Sequence, residues 1–204
     1  MRAGTKRVAW AIGAALSVLA SAAIGHEVGP PPAASPLAER PHMAVIRQAP
    51  DFTLLDLEGR PVRLSALRGR PVLLAFIYTS CTSACPLISF RMARLQEKLD
   101  RAAVPATLLS VSVDPADDAA ALARFAKAFN PGPGWHFLRA EPGRLEPVLA
   151  SYEEWTRRVE GELDHPARLH LIDAQGRVRE IYSLAFFDEA QAFLDLRALA
   201  GEER

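Results

Sequence analysis

The feature that most constrains the fold is the position of the only two cysteines. Cys81 and Cys85 lie four residues apart, directly after the apolar run 71–78. A short run of large apolar side chains is typical of a buried strand. Over 86–99 the apolar residues recur at helical spacing, and Pro86 suits a first helical turn, where its missing N–H is not needed. The pattern predicts a strand, a cysteine loop and a helix, with both thiols at the junction.

This junction has chemical consequences for the thiols. The unpaired N–H groups and the positive end of the dipole at a helix N-terminus favour a thiolate, which is both a nucleophile and a metal ligand. Because Pro86 disfavours helical angles in the preceding residue, we expect Cys85 to cap the helix and Cys81 to lie in the loop. Two cysteines this close can form a disulfide or bind one soft ion. The alternative is a pair of buried, apolar cysteines without a chemical role.

The N-terminus is predicted to be a targeting segment. Residues 1–25 combine basic residues, an apolar stretch and the small-residue cleavage site Ala20-Ser21-Ala22, so they form either a signal peptide or an N-terminal membrane anchor. Both alternatives place the rest of the chain outside the cytoplasm, either anchored on the periplasmic side of the inner membrane or free in the periplasm after cleavage. A disulfide can persist in such an oxidising compartment.

The remaining chain divides into a linker and one domain. Five prolines occur within 26–47, which predicts a stiff, extended linker, and residues 48–204 are predicted to form the folded domain. The 204-residue chain is 50% hydrophobic, has no net charge at pH 7 and carries no basic run beyond its N-terminus. We therefore expect a substantial core and no nucleic-acid partner.

The order of predicted elements indicates the fold class. After a hairpin of 52–55 with 61–64, the predicted strands are 71–78, 106–113, 135–138, 168–172 and 178–182, and the predicted helices are 86–99, 118–129, 145–158 and 188–200. Alternating strands and helices predict a parallel sheet covered on both faces, to which the last two strands add an antiparallel edge. This is the layout of a thioredoxin-like α/β fold, with a central mixed sheet flanked by helices and an added N-terminal β-hairpin. In that fold a loop ending in proline lies opposite the thiols; here it is His165-Pro166, for which we expect a cis peptide bond.

Three stretches carry a resemblance to a known family. Residues 76–86, 112–118 and 164–176 resemble, in motif, order and spacing, the Sco/SenC copper proteins that help assemble cytochrome c oxidase. The resemblance covers nearly the whole domain. In one respect the chain departs from it, since the family usually has proline directly after the first cysteine and this chain has Thr82. The departure leaves the candidate ligands intact and bears on the redox tuning of the loop.

The resemblance implies a ligand set and a cofactor. Cys81, Cys85 and His165 are expected to bind one copper ion. Two thiolates and one imidazole suit Cu(I), and binding of Cu(II) stays open. Asp164 is a candidate partner that orients His165, while Asp114 is a candidate either for orienting the cysteine loop or for forming a turn at the end of its strand.

The resemblance also implies a function. The expected protein is an extracytoplasmic copper metallochaperone rather than an enzyme. Its partner is the copper A site of cytochrome c oxidase subunit II or another copper-accepting protein. The alternative is a thiol–disulfide oxidoreductase or redox-signalling protein, in which Cys81 and Cys85 are catalytic as a redox-active disulfide and a thiol-reducing partner is needed. A peroxiredoxin-like peroxidase is disfavoured because the sequence before Cys81 lacks the pattern Pro-x-x-x-Thr-x-x-Cys. A closed zinc site is disfavoured because the sequence has no second cysteine pair.

Overall fold

The computed structural model describes residues 43–159 and 162–202. The segment 1–25, predicted to be a signal peptide or anchor, and the linker residues 26–42 lie outside this range. Among the helices of the described residues, none combines the length and the apolar character that crossing a membrane requires.

A six-stranded mixed sheet forms the centre of the domain. The strands in chain order are β1 (Arg47–Gln48), β2 (Thr53–Leu55), β3 (Pro61–Arg63), β4 (Val72–Ile77), β5 (Thr107–Ser112), β6 (Trp135–Leu138), β7 (Arg157–Val159), β8 (Glu162–Asp164), β9 (Arg168–Ile172) and β10 (Arg177–Ser183). The order across the sheet is β1-β10-β9-β4-β5-β6. Strands β4, β5 and β6 are parallel, whereas β9, β10 and β1 continue the sheet from β4 as an antiparallel edge. The predicted mixed sheet is confirmed.

The described residues form four α-helices: α1 (Ala84–Arg101), α2 (Ala119–Lys127), α3 (Leu145–Ser151) and α4 (Glu189–Gly201). Every residue of β4 and β5 is buried, as expected for parallel strands whose two faces are both covered. The buried residues of α1 include Ile88, Met92, Leu95 and Leu99, which recur at helical spacing and join the core. The N-terminal hairpin is present as β2 and β3, with Gly59 in its turn at φ +77°.

The prediction of a long helix over 145–158 is wrong in its second half. Helix α3 ends at Ser151, and Glu153 adopts a left-handed φ of +58°, which takes the chain out of the helix. The chain then forms a second hairpin, β7 with β8, which the sequence analysis missed. All three residues of β7 are exposed, so this strand lacks the alternation of apolar and polar residues that identifies a strand in sequence.

The predicted cis bond at Pro166 is also wrong, since every peptide bond in the described ranges is trans. Residues 43–47 were assigned to the linker, but the backbone N–H of Ile46 donates to Val178 O at 2.9 Å, and β1 begins at Arg47. The chain therefore begins to pair with the sheet at Ile46, two residues before Gln48.

A buried arginine connects the entering chain with the end of α4. Arg179 on β10 has a side chain only 2% exposed. Its guanidinium donates to Asp173 at 3.0 Å, to Glu202 at 2.9 Å and to the backbone oxygen of Met43. Because the Asp173 carboxylate is also buried, this ion pair is shielded from water, and removing the guanidinium would leave buried acceptors behind.

We expect Arg179→Met to lower the free energy of unfolding by about 3 kcal/mol, because it leaves buried acceptors without their cation. Arg177 offers a matched control: it contacts the same carboxylate of Asp173 at 2.8 Å, but its side chain is 37% exposed. Arg177→Met should cost less than about 1 kcal/mol. Urea unfolding followed by circular dichroism measures both changes, and equal losses would contradict this account of Arg179.

Candidate metal centre

The cysteine loop runs from the end of β4 to the start of α1, as predicted. Helix α1 begins at Ala84 with Ser83 as its N-cap, so Cys85 lies inside the first turn and is not the cap residue. The prediction for Cys85 fails because the first four N–H groups of a helix have no intrahelical partner. Pro86 can therefore occupy the third helical position without losing a hydrogen bond, and the helix starts upstream of it.

The two thiols are free and have different surroundings. Cys81 is 8% exposed, and its sulfur accepts a hydrogen bond from the backbone N–H of Cys85 at 3.3 Å. Cys85 is fully buried, and its sulfur accepts from the backbone N–H of Tyr78 at 3.5 Å. The backbone at the junction therefore contacts both sulfurs.

His165 meets this loop from the other side. It lies between β8 and β9, and its Nε2 is 3.8 Å from the sulfur of Cys85. The ring of Tyr78 packs edge-on against the imidazole, with 5.7 Å between ring centroids. The structure therefore places Cys81 in the loop after β4, Cys85 in the first turn of α1, and His165 against Cys85.

The site opens into a cleft of about 410 Å³. One wall comes from the cysteine loop and the start of α1, and the other from β7, β8 and the loop that follows. The residues lining it are Tyr78, Cys81, Ser83, Ala84, Val159, Glu162, Leu163, Asp164 and His165. Cys81 and His165 thus face the cleft, whereas Cys85 lies behind them.

The separation of Cys85 and His165 suits a shared metal ion. Thiolate and imidazole ligands bind zinc at about 2.0–2.3 Å, and 3.8 Å is less than the sum of two such bonds. Across the described ranges, however, no three His, Cys, Asp or Glu side chains already stand close enough together to hold an ion. Binding of one ion by all three side chains therefore needs a rearrangement of the site.

The two thiols differ in the direction in which their surroundings shift the pKa. Burial raises the pKa of Cys81, but the N–H groups of Cys85 and Ser83 outweigh it and bring that pKa below its ordinary value. For Cys85 burial dominates, and together with the adjacent Cys81 it raises the pKa far above the ordinary value. Burial lowers the pKa of His165, so its imidazole is neutral near pH 7 and can offer a lone pair to a metal.

The structure also shows a residue that the sequence analysis missed. The buried carboxylate of Asp117 accepts hydrogen bonds from the N–H and hydroxyl of Thr79 and from the hydroxyl of Ser112. It therefore fixes the chain two residues before Cys81. Asp117 lies within the motif 112–118, so a search of that motif for carboxylates beyond Asp114 could have found it.

The two aspartates that were singled out have other partners. Asp114 accepts from the N–H of Ala116 at 3.0 Å and lies 3.6 Å from Arg158, which fits a turn at the end of its strand. Asp164 pairs with Arg157 across the β7–β8 hairpin at 2.7 Å. Within the described part of the chain, the Nδ1 atom of His165 has no hydrogen-bond partner, so the predicted contact with Asp164 is not formed.

Comparisons with known proteins identify the family of this chain. A family profile described as SCO1/SenC matches residues 42–201. The chain belongs to the SCO1/SenC family. It is 30% identical over 138 residues to the SCO1 protein homolog of Bacillus subtilis, a match that covers 65% of this chain and 72% of the relative.

Solved structures of family members have the same fold. The structure of Bradyrhizobium japonicum ScoI with copper bound is 27% identical and has a TM-score of 0.66, covering 74% of this chain and 99% of that one. BsSco is described as a member of the Sco family of cytochrome c oxidase assembly proteins that contains a disulfide switch. It is 25% identical with a TM-score of 0.67, and the match covers 78% of this chain and 96% of BsSco. The predicted family and thioredoxin-like fold are thereby confirmed.

The difference between the thiols predicts selective alkylation. In the folded, reduced protein at pH 7, we expect iodoacetamide to modify Cys81 at least about tenfold faster than Cys85, because only Cys81 combines a lowered pKa with access to the cleft. Tandem mass spectrometry of the peptide that contains both residues measures the rates. In concentrated urea, which unfolds the chain and serves as the control, the two rates should converge. Equal rates in the folded protein would contradict the assigned difference between the thiols.

Proposed function

We propose that this protein is a copper metallochaperone in which Cys81, Cys85 and His165 bind one Cu(I) ion. The observation that carries the proposal is the 3.8 Å approach of His165 Nε2 to the sulfur of Cys85, beside an open cleft lined by Cys81. Two thiolates and a neutral imidazole form a soft ligand set of low coordination number, which is suited to Cu(I). Copper is bound in a solved relative of the same fold, which supports this choice of metal.

The three ligands have different roles in this proposal. Cys81 faces the cleft and has a lowered pKa, so it is the sulfur that an incoming or departing ion meets first. Cys85 is a thiol in the metal-free protein because of its burial, and binding of copper releases its proton. His165 completes the site from the opposite wall without needing deprotonation.

Transfer of copper needs a partner whose ligands can enter the cleft. A partner thiolate that reaches Cys81 can replace the ligands one at a time, so the ion is never released into water. We propose the copper A site of cytochrome c oxidase as the recipient, which is supported by the description of BsSco as a member of a family of cytochrome c oxidase assembly proteins. The N-terminal segment 1–25 supports a location outside the cytoplasm, with or without a membrane anchor.

Titration of the reduced protein with Cu(I), in competition with a chromophoric chelator, tests the ligand set. We expect a large loss of Cu(I) affinity from each of the substitutions Cys81→Ser, Cys85→Ser and His165→Ala. Each loss should exceed the roughly 10–100-fold loss that follows when a residue hydrogen-bonded to a metal ligand is changed. His136→Ala provides the control, since His136 lies on β6 away from the cleft. If all three variants bind Cu(I) as the wild type does, the site is wrongly assigned.

A second candidate function is thiol–disulfide exchange with the same residues. The observation in its favour is the pairing of one accessible thiol of lowered pKa with one buried thiol directly beside it. In this reaction the Cys81 thiolate attacks a partner disulfide and releases one partner thiolate. Cys85 then loses its proton and attacks the mixed disulfide, which releases the second partner thiolate and leaves a Cys81–Cys85 disulfide.

A redox titration distinguishes the two candidates. An efficient reductant should have a potential near the roughly −270 mV of thioredoxin and turn over a disulfide substrate. Cys85→Ser should trap the mixed disulfide, and Cys81→Ser should be inactive. Tight Cu(I) binding together with no turnover on a disulfide substrate would exclude this second function and leave the first.

A further inference from the structure

A buried carboxylate outside the cleft is not explained by the roles assigned so far. Glu154 follows α3, and its side chain is only 1% exposed. Its Oε1 atom accepts a hydrogen bond from Arg168 Nε at 3.0 Å and lies 3.1 Å from His170 Nε2. The left-handed backbone of Glu153 turns the chain at this point.

Glu154 and His165 each have one buried polar atom without a hydrogen-bond partner among the described residues, and the two atoms have complementary hydrogen-bonding roles. Considering only described residues, both the Oε2 atom of Glu154 and the Nδ1 atom of His165 are buried and have no hydrogen-bond partner. Leaving such groups unpaired is costly. A carboxylate oxygen can only accept, and Nδ1 of a neutral imidazole carries the proton whenever Nε2 serves as an acceptor or ligand. Each atom is therefore the kind of partner that the other lacks.

The position of Glu154 in the fold brings it toward His165. Its partner Arg168 is the first residue of β9 and follows His165 by three residues. The Glu154 carboxylate therefore contacts the same short segment of chain that carries His165. The negative charge of Glu154 also lies close enough to the imidazole of His165 to interact with it.

We propose that Glu154 is a positioning residue for His165. Its Oε2 atom accepts the Nδ1–H of His165, directly after a small side-chain movement or through one buried water, and so holds Nε2 toward Cys85 and the ion. This inference rests on the proposed copper site. Asp164, the neighbour of His165 in sequence, does not fill this role because its carboxylate is 44% exposed and pairs with Arg157.

The first test compares three single substitutions that each remove one negative charge. Reduced Glu154→Gln should bind Cu(I) about 10–100-fold more weakly than the wild type in chelator competition, the usual effect of losing a carboxylate behind a ligating histidine. Glu153→Gln, one residue away with a side chain 75% exposed, should stay within about twofold, and Asp164→Asn should weaken binding less than Glu154→Gln does. Unchanged affinity of Glu154→Gln, or a loss confined to Asp164→Asn, would overturn the proposal.

A double-mutant cycle separates positioning from a general structural effect. In a His165→Ala background, Glu154→Gln should cause no further loss of Cu(I) affinity, because its only route to the ion has been removed. The same loss in both backgrounds would show that Glu154 acts elsewhere. If His165→Ala itself binds as the wild type does, the proposed ligand set fails; if only Glu154→Gln is normal, the ligand set stands and this inference fails.

A readout without metal completes the test. In the reduced apoprotein, nitrogen-15 NMR of the imidazole should show His165 with its proton on Nδ1, and Glu154→Gln should shift the population toward the Nε2–H tautomer. An unchanged tautomer would contradict the proposed hydrogen bond. If Glu154→Gln does not fold, Glu154→Asp keeps the charge but withdraws the carboxylate by one methylene, and it should show the same tautomer shift.

Discussion

The antiparallel pairing of β4 with β9 is the interaction on which the candidate site depends. Ala75 of β4 lies opposite Leu169 of β9. Because the strands run in opposite directions, the chain that follows β4 meets the chain that precedes β9. Continuing this register by four residues brings position 79 opposite position 165, so the cysteine loop and His165 must approach one another. The parallel neighbour β5 holds β4 from the other side and is buried throughout.

The same register explains how much could be predicted from sequence. The apolar run of β4, the helical spacing of α1 and the turn before β10 are local signals, and they determine the order of the elements. Once that order is assigned to a thioredoxin-like fold, the approach of the cysteine loop and the His165 loop follows from topology. The bounds of β6 and β9 match the prediction as well.

The features that could not be predicted depend on contacts between distant residues. Glu154 is buried because Arg168 and His170, 14 and 16 residues later, contact its carboxylate. In sequence it is an ordinary charged residue in what resembles the end of a helix. Asp117 likewise finds its partner Thr79 across 38 residues. The donors to Glu154 are distant in sequence, and no local pattern reveals them.

The charges at the site bear on which oxidation state of copper it favours. Two thiolates and Cu(I) sum to a formal charge of −1, whereas with Cu(II) the sum is zero. Full burial would favour the neutral assembly, because an uncompensated charge is costly away from water. Here the sulfur of Cys81 borders an open cleft, so water can solvate the extra negative charge of the Cu(I) form. In the proposed mechanism, the cleft through which a partner would reach the ion is therefore also the feature that would stabilise the Cu(I) form, and a partner covering the cleft would remove that solvation as it takes the ion.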